Sequence, residues 1–186
     1  MLMVSDNKIR SQAKPAEELI HRIAADDKQA LESLYLETKT AVYGFLLSIV
    51  RNRHTAEDLM QETYIQVYLS AANYQPQGKP MAWVLTIARN LALMKLREKS
   101  SADVSLEPDW GLRSEEDGIQ QTLDRLVLES AMRVLNQEER QIVMLHDVAG
   151  LKHRETAALM QLPLATVLSK YRRALSKLRK QVQEEQ

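Results

Sequence analysis

The stretch HRETAALMQLPLATVLSKYRRALSKLRK, residues His153–Lys180, decides the fold of the second half of the chain. Its first eight residues have helical spacing, Gln161-Leu162-Pro163 interrupts them, and a long helix is predicted from about Leu164 to Val182. The apolar side of that helix consists of Val167, Tyr171, Ala174, Leu175 and Leu178. A short helix, a tight turn and a second helix are typical of a helix-turn-helix, whose second helix enters the major groove of DNA.

The other side of the last helix is strongly basic. Residues Thr166–Lys180 contain six basic side chains and no acidic one. Because Arg and Lys bind guanine acceptors and phosphates, this side is the candidate DNA surface. The DNA-binding residues predicted there are Thr166, Ser169, Lys170, Arg172, Arg173 and Lys177. A basic but merely solvated helix is the alternative, and the preceding short helix and turn favour DNA.

Charge is unevenly distributed along the chain. The formal net charge is zero, but residues Ser101–Ser130 contain eight acidic and two basic side chains. The local field, more than the total charge, governs binding to nucleic acid. The opposite charges of this segment and of the last helix suggest one hypothesis, a closed and autoinhibited form held together by their attraction.

The first half of the chain is predicted to form four helices. Their ranges are Ala16–Ala25, Lys28–Ile49, Thr55–Ser70 and Pro80–Glu98. Thr55 is the predicted N-cap of the third helix. Asn73–Pro80 contains two prolines and a glycine and is predicted to be a loop, with Pro80 in the first turn of the fourth helix.

Composition changes at Ser100. Ser100–Gly118 is acidic, rich in turn-forming residues and without a helical period, so it is predicted to be a linker, in which Trp110 is unexpected. Two further helices are predicted, Gln121–Val134 and Gln137–Val148, the second with a capping box of Asn136 and Glu139. The sequence therefore predicts an all-α protein of two small helical domains, residues 1–99 and 121–186, joined by an acidic flexible linker at residues 100–120.

Several other classes of protein are not supported. The chain has no cysteine, which excludes disulfides and thiolate metal sites and suits a reducing cytoplasm. No run approaches the roughly 18 apolar residues of a membrane span, so no stable membrane association is expected. His146 and His153 suggest a metal or acid–base site, but a predicted break separates them and no third ligand has suitable spacing. We expect no catalytic residue, no metal and no cofactor.

Two sets of motifs resemble the extracytoplasmic-function (ECF) sigma factors of the sigma-70 family. AEDLMQE at residues 56–62 and AWVLTIARN at residues 82–90 are similar to region 2 of that family. LNQEERQIV at 135–143, ETAAL at 155–159 and TVLSKYRRAL at 166–175 are similar to region 4. The two sets have the family's order and separation. The departures from the family's pattern include Met94 at a usual Asp, Gln161 at the usual turn glycine and Leu168 at a usual basic position.

The resemblance implies a role for the first half. The face formed by Asp58, Gln61 and Glu62 is similar to the surface that docks on the clamp helices of the largest subunit of RNA polymerase. The loop Asn73–Lys79 and the helix after it resemble the part that captures the −10 element as a melted single strand. The residues implied for the −10 strand are Tyr74, Lys79, Arg89, Asn90, Lys95 and Arg97, with Tyr74 stacking on a base. Trp83 is expected to be a core anchor instead.

The resemblance also implies that the helix-turn-helix binds the −35 duplex and that the second half contacts the flexible flap of the second-largest polymerase subunit. The implied partners are core RNA polymerase and promoter DNA, and an anti-sigma factor is a further candidate because the family often has one. The expected function is promoter-specific transcription initiation in the cytoplasm, with the polymerase doing the chemistry. A helix-turn-helix regulator that acts without polymerase is the alternative; it leaves the region 2 motifs unexplained.

Overall fold

The structure, a computed structural model, describes residues 16–101 and 133–184, and the regular secondary structure in these ranges is helical. The helices are α1 (residues 16–24), α2 (Lys28–Val50), α3 (Arg53–Ser70), α4 (Pro80–Ser101), α5 (Gln137–Val143, continued by a π-helical turn at Met144–Val148), α6 (His153–Met160) and α7 (Leu164–Glu184). The all-α prediction is confirmed. Trp110 and nearly all of the predicted linker lie outside the described residues, as does most of the predicted helix Gln121–Val134. None of the described helices combines the length and the apolar character that a membrane crossing requires.

The helix starts are determined by short polar side chains. The carboxylate of Asp27 accepts hydrogen bonds from the backbone N–H groups of Gln29 and Ala30 at the start of α2. The prediction that Thr55 caps α3 is wrong: the N-cap is Asn52, whose side chain accepts from the Thr55 N–H. Asn52 has the extended backbone that an N-cap requires, whereas Thr55 already lies inside the first turn and is buried.

The second half follows its predicted outline closely. The capping box of Asn136 and Glu139 is present at the start of α5. The predicted helix Gln137–Val148 is not α-helical throughout, because its last five residues form a π-helical turn. Between α6 and α7, Gln161 takes the left-handed conformation with φ 57°. It therefore fills the place of the family's turn glycine at a cost in backbone strain.

One hydrophobic core runs through both halves of the chain. The cluster that contains Phe45 and Leu85 from the first half also contains Ile142, Leu145 and Val167 from the second. The C-terminal half of α2 explains this continuity: every residue from Gly44 to Val50 is buried. A helix that is apolar on all sides must be covered on all sides. Helices α3 and α4 cover part of it, and α5 with its π-helical turn covers another part.

The contact between the halves also has a polar component. The guanidinium of Arg51, the residue after α2, donates a 3.3 Å hydrogen bond to the side-chain oxygen of Gln137 at the start of α5. Nearby, α4 contacts α6. We call the packing of α2 on α5 and its π-helical turn, together with that of α4 on α6, the interdomain contact.

Candidate polymerase and nucleic-acid interfaces

The candidate polymerase surface lies on the outer face of α3. Asp58, Gln61 and Glu62 are all exposed, and their spacing of three and four residues places them on one side of the helix. The opposite side of α3 is anchored in the core by Ala56, Leu59 and Val67. The three predicted residues therefore occur together on a rigid and accessible surface, and its two carboxylates suit a basic partner.

An apolar extension continues the same face toward the end of α3. Ile65 and Leu69 follow Glu62 at spacings of three and four residues, and 57% of Ile65 and 63% of Leu69 is exposed. Monomeric proteins do leave single apolar side chains in water, but two on the line of an acidic pair form a surface suited to a protein partner. Sequence reasoning missed these two residues, although their spacing from Glu62 is visible in the sequence.

Tyr74 lies in the core rather than on the surface. It is 7% exposed, and its hydroxyl donates a 2.9 Å hydrogen bond to the Glu17 carboxylate. Burial and that hydrogen bond raise the pKa of Tyr74. Its ring packs 5.0 Å from that of Trp83, centroid to centroid. In this conformation Tyr74 anchors the loop before α4, and its ring does not face solvent as a base-stacking ring would.

The other residues predicted to bind the −10 strand lie on α4 and the loop before it. Asn90 and Arg97 are exposed and lie on one stripe of the helix with Thr86 and Met94. Arg89 is half-buried on one flank of the stripe. The other predicted residues are Lys79, exposed in the loop, and Lys95, which is exposed and 3.5 Å from the Glu98 carboxylate. The stripe presents an amide and a guanidinium beside the thioether of Met94, half of whose surface is exposed.

The basic side of α7 divides into two sets of residues. Arg172 and Arg173 are exposed, and neither forms an ion pair with any residue in the described ranges. Ser169 is exposed and Thr166 half-buried near the start of the helix, where the Ser169 hydroxyl donates to the Thr166 carbonyl. These four residues form the accessible part of the predicted −35 surface.

The two lysines of the predicted −35 surface are bound to α5. Lys170 Nζ lies 2.5 Å from a Glu138 carboxylate oxygen, and Lys177 Nζ lies 2.6 Å from one of Glu139. The Glu139 side chain is only 2% exposed. Burial raises its pKa, but the hydrogen bonds from Lys177 and from the Asn136 N–H outweigh burial and hold the pKa below its ordinary value. Both lysines therefore fasten the last helix to α5.

His146 and His153 come together despite the helix break between them. Their rings stack at 3.8 Å between centroids, and the ring of Tyr171 packs edge-on against both. The Tyr171 hydroxyl donates a 2.8 Å hydrogen bond to Asp147. Within the described ranges no three potential metal ligands converge. The stacked pair joins α5, α6 and α7, and so fixes the orientation of the last helix.

The two halves match known families. Residues 34–102 match the family described as Sigma-70 region 2, and residues 125–178 match Sigma-70, region 4. The ECF RNA polymerase sigma factor SigK of Mycobacterium sp. (strain KMS) is 29% identical over 83% of this chain and 83% of its own length. The ECF RNA polymerase sigma factor BldN of Streptomyces coelicolor is 32% identical over 77% of this chain and 56% of its own length.

A solved structure shares the fold. The sigma factor RpoE of Bartonella quintana, crystallised with the anti-sigma factor NepR, matches with a TM-score of 0.63 over 83% of this chain and 98% of its own, at 19% identity. Since both regions occur in the family's order and together span most of the sequence, the chain belongs to the ECF sigma factors of the sigma-70 family.

Proposed function

We propose that this sigma factor directs promoter-specific initiation through three surfaces that the two halves present separately. The acidic face of α3, with its apolar extension, binds core RNA polymerase. The exposed stripe of α4 and the loop before it bind the −10 strand, and the accessible part of α7 binds the −35 duplex. The observation that carries the proposal is the presence of both sigma-70 regions, in order, in one chain.

The polymerase surface is assigned by charge and accessibility. Asp58 and Glu62 are exposed without an opposite charge from any described residue, so a basic helix pair can neutralise both. Ile65 and Leu69 supply apolar area, and its burial contributes affinity. The charges mainly contribute the orientation and the rate of association. The clamp helices of the largest polymerase subunit are the proposed partner of this surface.

The −35 surface is assigned to the part of α7 that is not used for folding. Arg172 and Arg173 are free to reach base edges or phosphates, and Thr166 and Ser169 supply hydroxyl groups near the N-terminal end of the helix. Lys170 and Lys177 border this surface, but Glu138 and Glu139 largely balance their charges, so Arg172 and Arg173 supply most of its positive potential. The chain itself performs no catalysis in this scheme, and it acts in the cytoplasm, where bacterial polymerase works.

Further partners of this chain are proposed from its similarity to known sigma factors. The Bartonella quintana structure contains an anti-sigma factor bound to a sigma factor. We propose by the same similarity that an anti-sigma factor binds this chain. We also propose that its second half contacts the flap of the second-largest polymerase subunit. Residues 1–99, 100–120 and 121–186 remain the proposed domain and linker boundaries.

Charge reversal on α3 tests the assignment. Asp58→Lys should abolish assembly with core polymerase, measured by co-elution and by run-off transcription, and should leave the circular dichroism spectrum unchanged. Glu18→Lys is the matched control, because Glu18 is also an exposed acid but lies on α1. Normal assembly of Asp58→Lys with core would remove the α3 face from the proposal. A helix-turn-helix regulator would enable no specific initiation by core enzyme in any of these assays.

A further inference from the structure

Glu17, on α1, joins two points of the loop before α4. One oxygen of its carboxylate accepts a 2.9 Å hydrogen bond from the Tyr74 hydroxyl and a 2.7 Å hydrogen bond from the backbone N–H of Gly78. Hydrogen bonds to a carboxylate are roughly twice as strong as those between neutral groups. Glu17 precedes residues 34–102, which match region 2, and the proposed function gives it no role. The loop is therefore held by a helix outside the matched segment.

The loop has two anchored ends and an exposed middle. At one end Tyr74 is buried, and at the other the Lys79 carbonyl accepts a hydrogen bond from the Trp83 N–H in the first turn of α4. Residues 75–78, between these anchors, are all exposed, and we call them the loop tip. The hydrogen bond from Gly78 to Glu17 ties the loop tip to a second element. Without that bond, the position of the tip would depend on its two ends.

The backbone of the loop tip makes this tie consequential. Gly78 has φ 68°, a conformation that glycine adopts readily, but glycine also loses more conformational freedom than any other residue when it is fixed. A loop that becomes ordered only when it binds loses that freedom at the moment of binding, and its affinity is lower for that reason. A hydrogen bond that already fixes Gly78 in the DNA-free protein removes this loss from the binding step.

The side chains of the loop tip suit single-stranded DNA. Gln75 and Gln77 each carry an amide that can both donate and accept hydrogen bonds, as the edges of bases do. Pro76, between them, restricts the backbone further, and the exposed Lys79 adds a positive charge beside them. An amide that is free to move can turn to satisfy many partners. The two glutamines can therefore discriminate between bases only if the tip is held in one place.

We propose that Glu17 is a positioning residue for −10 recognition: its hydrogen bond to Gly78 holds the loop tip, before DNA binds, in the conformation in which Gln75 and Gln77 read bases of the melted strand. This inference rests on the proposed function, because it explains how the proposed −10 surface discriminates between sequences. Glu17 acts through the backbone of the tip and contacts no base itself. Its loss should therefore affect the −10 element alone.

Substitutions can separate the two hydrogen bonds of Glu17. Glu17→Ala removes both, whereas Glu17→Gln keeps an oxygen that can still accept from the Gly78 N–H. Tyr74→Phe removes the bond from the phenol, leaves Glu17 able to accept from Gly78, and keeps the ring that packs against Trp83. Glu18→Ala is the matched control, because Glu18 is the next residue on α1 and its side chain is exposed.

Each variant is assembled with core polymerase, and its affinity for a single-stranded oligonucleotide is measured by fluorescence anisotropy. The oligonucleotide carries the −10 sequence that the native holoenzyme selects from random DNA. Glu17→Ala should weaken binding about tenfold, because the loop tip must then become ordered during binding. Glu17→Gln, Tyr74→Phe and Glu18→Ala should bind within about twofold of the native chain. Circular dichroism gives the folded fraction of each variant, and affinity for a −35 duplex should be unchanged in all of them.

Discrimination between bases is the readout that a purely structural role would not change. An oligonucleotide whose altered base has already lost its contact with the loop tip should be weakened less by Glu17→Ala than the selected sequence is. Discrimination should therefore fall at the positions that the tip reads and keep its native value at the others.

Native affinity of Glu17→Ala for the selected oligonucleotide would overturn the inference. So would an equal loss of affinity in Glu17→Gln or in Tyr74→Phe, or an equal loss for every base change, because each would mean that the hydrogen bond to Gly78 does not position the loop tip. A native holoenzyme that bound no single-stranded −10 DNA and initiated at no specific sequence would overturn the proposed function itself, and the inference with it.

Discussion

At the scale of single residues, the basic side of α7 carries two kinds of cation. Lys177 holds a buried carboxylate, whereas Arg173 is exposed. Lys177→Met should lower the free energy of unfolding by about 2 kcal/mol, because Glu139 loses its charged hydrogen-bond partner. Arg173→Ala should leave stability within about 0.5 kcal/mol and weaken −35 binding by about 1–3 kcal/mol. Urea unfolding and fluorescence anisotropy with a −35 duplex separate the two effects. Equal loss of DNA affinity in both variants would contradict the division.

The effect of Lys177→Met should depend on pH. Because the folded-state pKa of Glu139 lies below its ordinary value of 4.5, the ion pair contributes stability above that value. The contribution is lost as the pH falls through the lowered pKa and the carboxylate becomes protonated. The unfolding free energies of the native chain and of Lys177→Met should therefore converge in acid. A difference that stayed constant with pH would mean that Lys177 acts through packing alone.

Tyr74 gives a second residue-scale prediction. Tyr74→Phe should lower the unfolding free energy by about 1–2 kcal/mol through the lost bond to Glu17, and Tyr74→Leu should lower it further through the lost ring. Neither should change affinity for a single-stranded −10 oligonucleotide, after correction for the folded fraction. If Tyr74 stacks on a base, Tyr74→Phe would keep that affinity and Tyr74→Leu would lose about 1–3 kcal/mol of it.

At the scale of the element, the helices were predictable and their attachments were not. The periodicity of α2 and α7 gave their limits to within a few residues because one face of each must be apolar. The same periodicity predicted that Lys177 lies on the DNA side of α7. Its ion pair was not predictable, because nothing in the sequence shows that Glu139 is buried beside it. The burial of Tyr74 was not predictable for a similar reason, because its partner Glu17 is 57 residues away along the chain.

The N-cap of α3 and the covered end of α2 are both matters of local sequence. Asn52 and Thr55 are both good N-cap residues, and only the backbone angles decide between them. The apolar run at the end of α2 was visible in the sequence. A run with so few polar positions predicts that both sides of a helix are covered, and a four-helix first half alone leaves one side open.

The turn between α6 and α7 carries the element-scale prediction. Gln161 has φ 57°, a conformation that costs a side-chain-bearing residue about 1 kcal/mol and costs glycine much less. Gln161→Gly should therefore raise the free energy of unfolding by up to about 1 kcal/mol and leave −35 affinity unchanged. Gln161→Asn should have an intermediate effect, because Asn tolerates this conformation better than Gln. Destabilisation by Gln161→Gly in urea unfolding would mean that the side chain makes a contribution larger than the strain.

At the scale of the whole molecule, a core shared between the halves should make them unfold together. Ile142 lies in the second half but is fully buried in the cluster that contains Phe45 and Leu85. Ile142→Ala should cost about 2–4 kcal/mol. In a Trp110→Phe background, Trp83 becomes the single tryptophan and reports on the first half. Its fluorescence midpoint in urea should fall by the same amount as the midpoint seen by circular dichroism.

An exposed substitution on α6, Ala158→Ser, should move neither midpoint. If Ile142→Ala splits the circular dichroism transition and leaves the Trp83 midpoint in place, the two halves fold independently of each other.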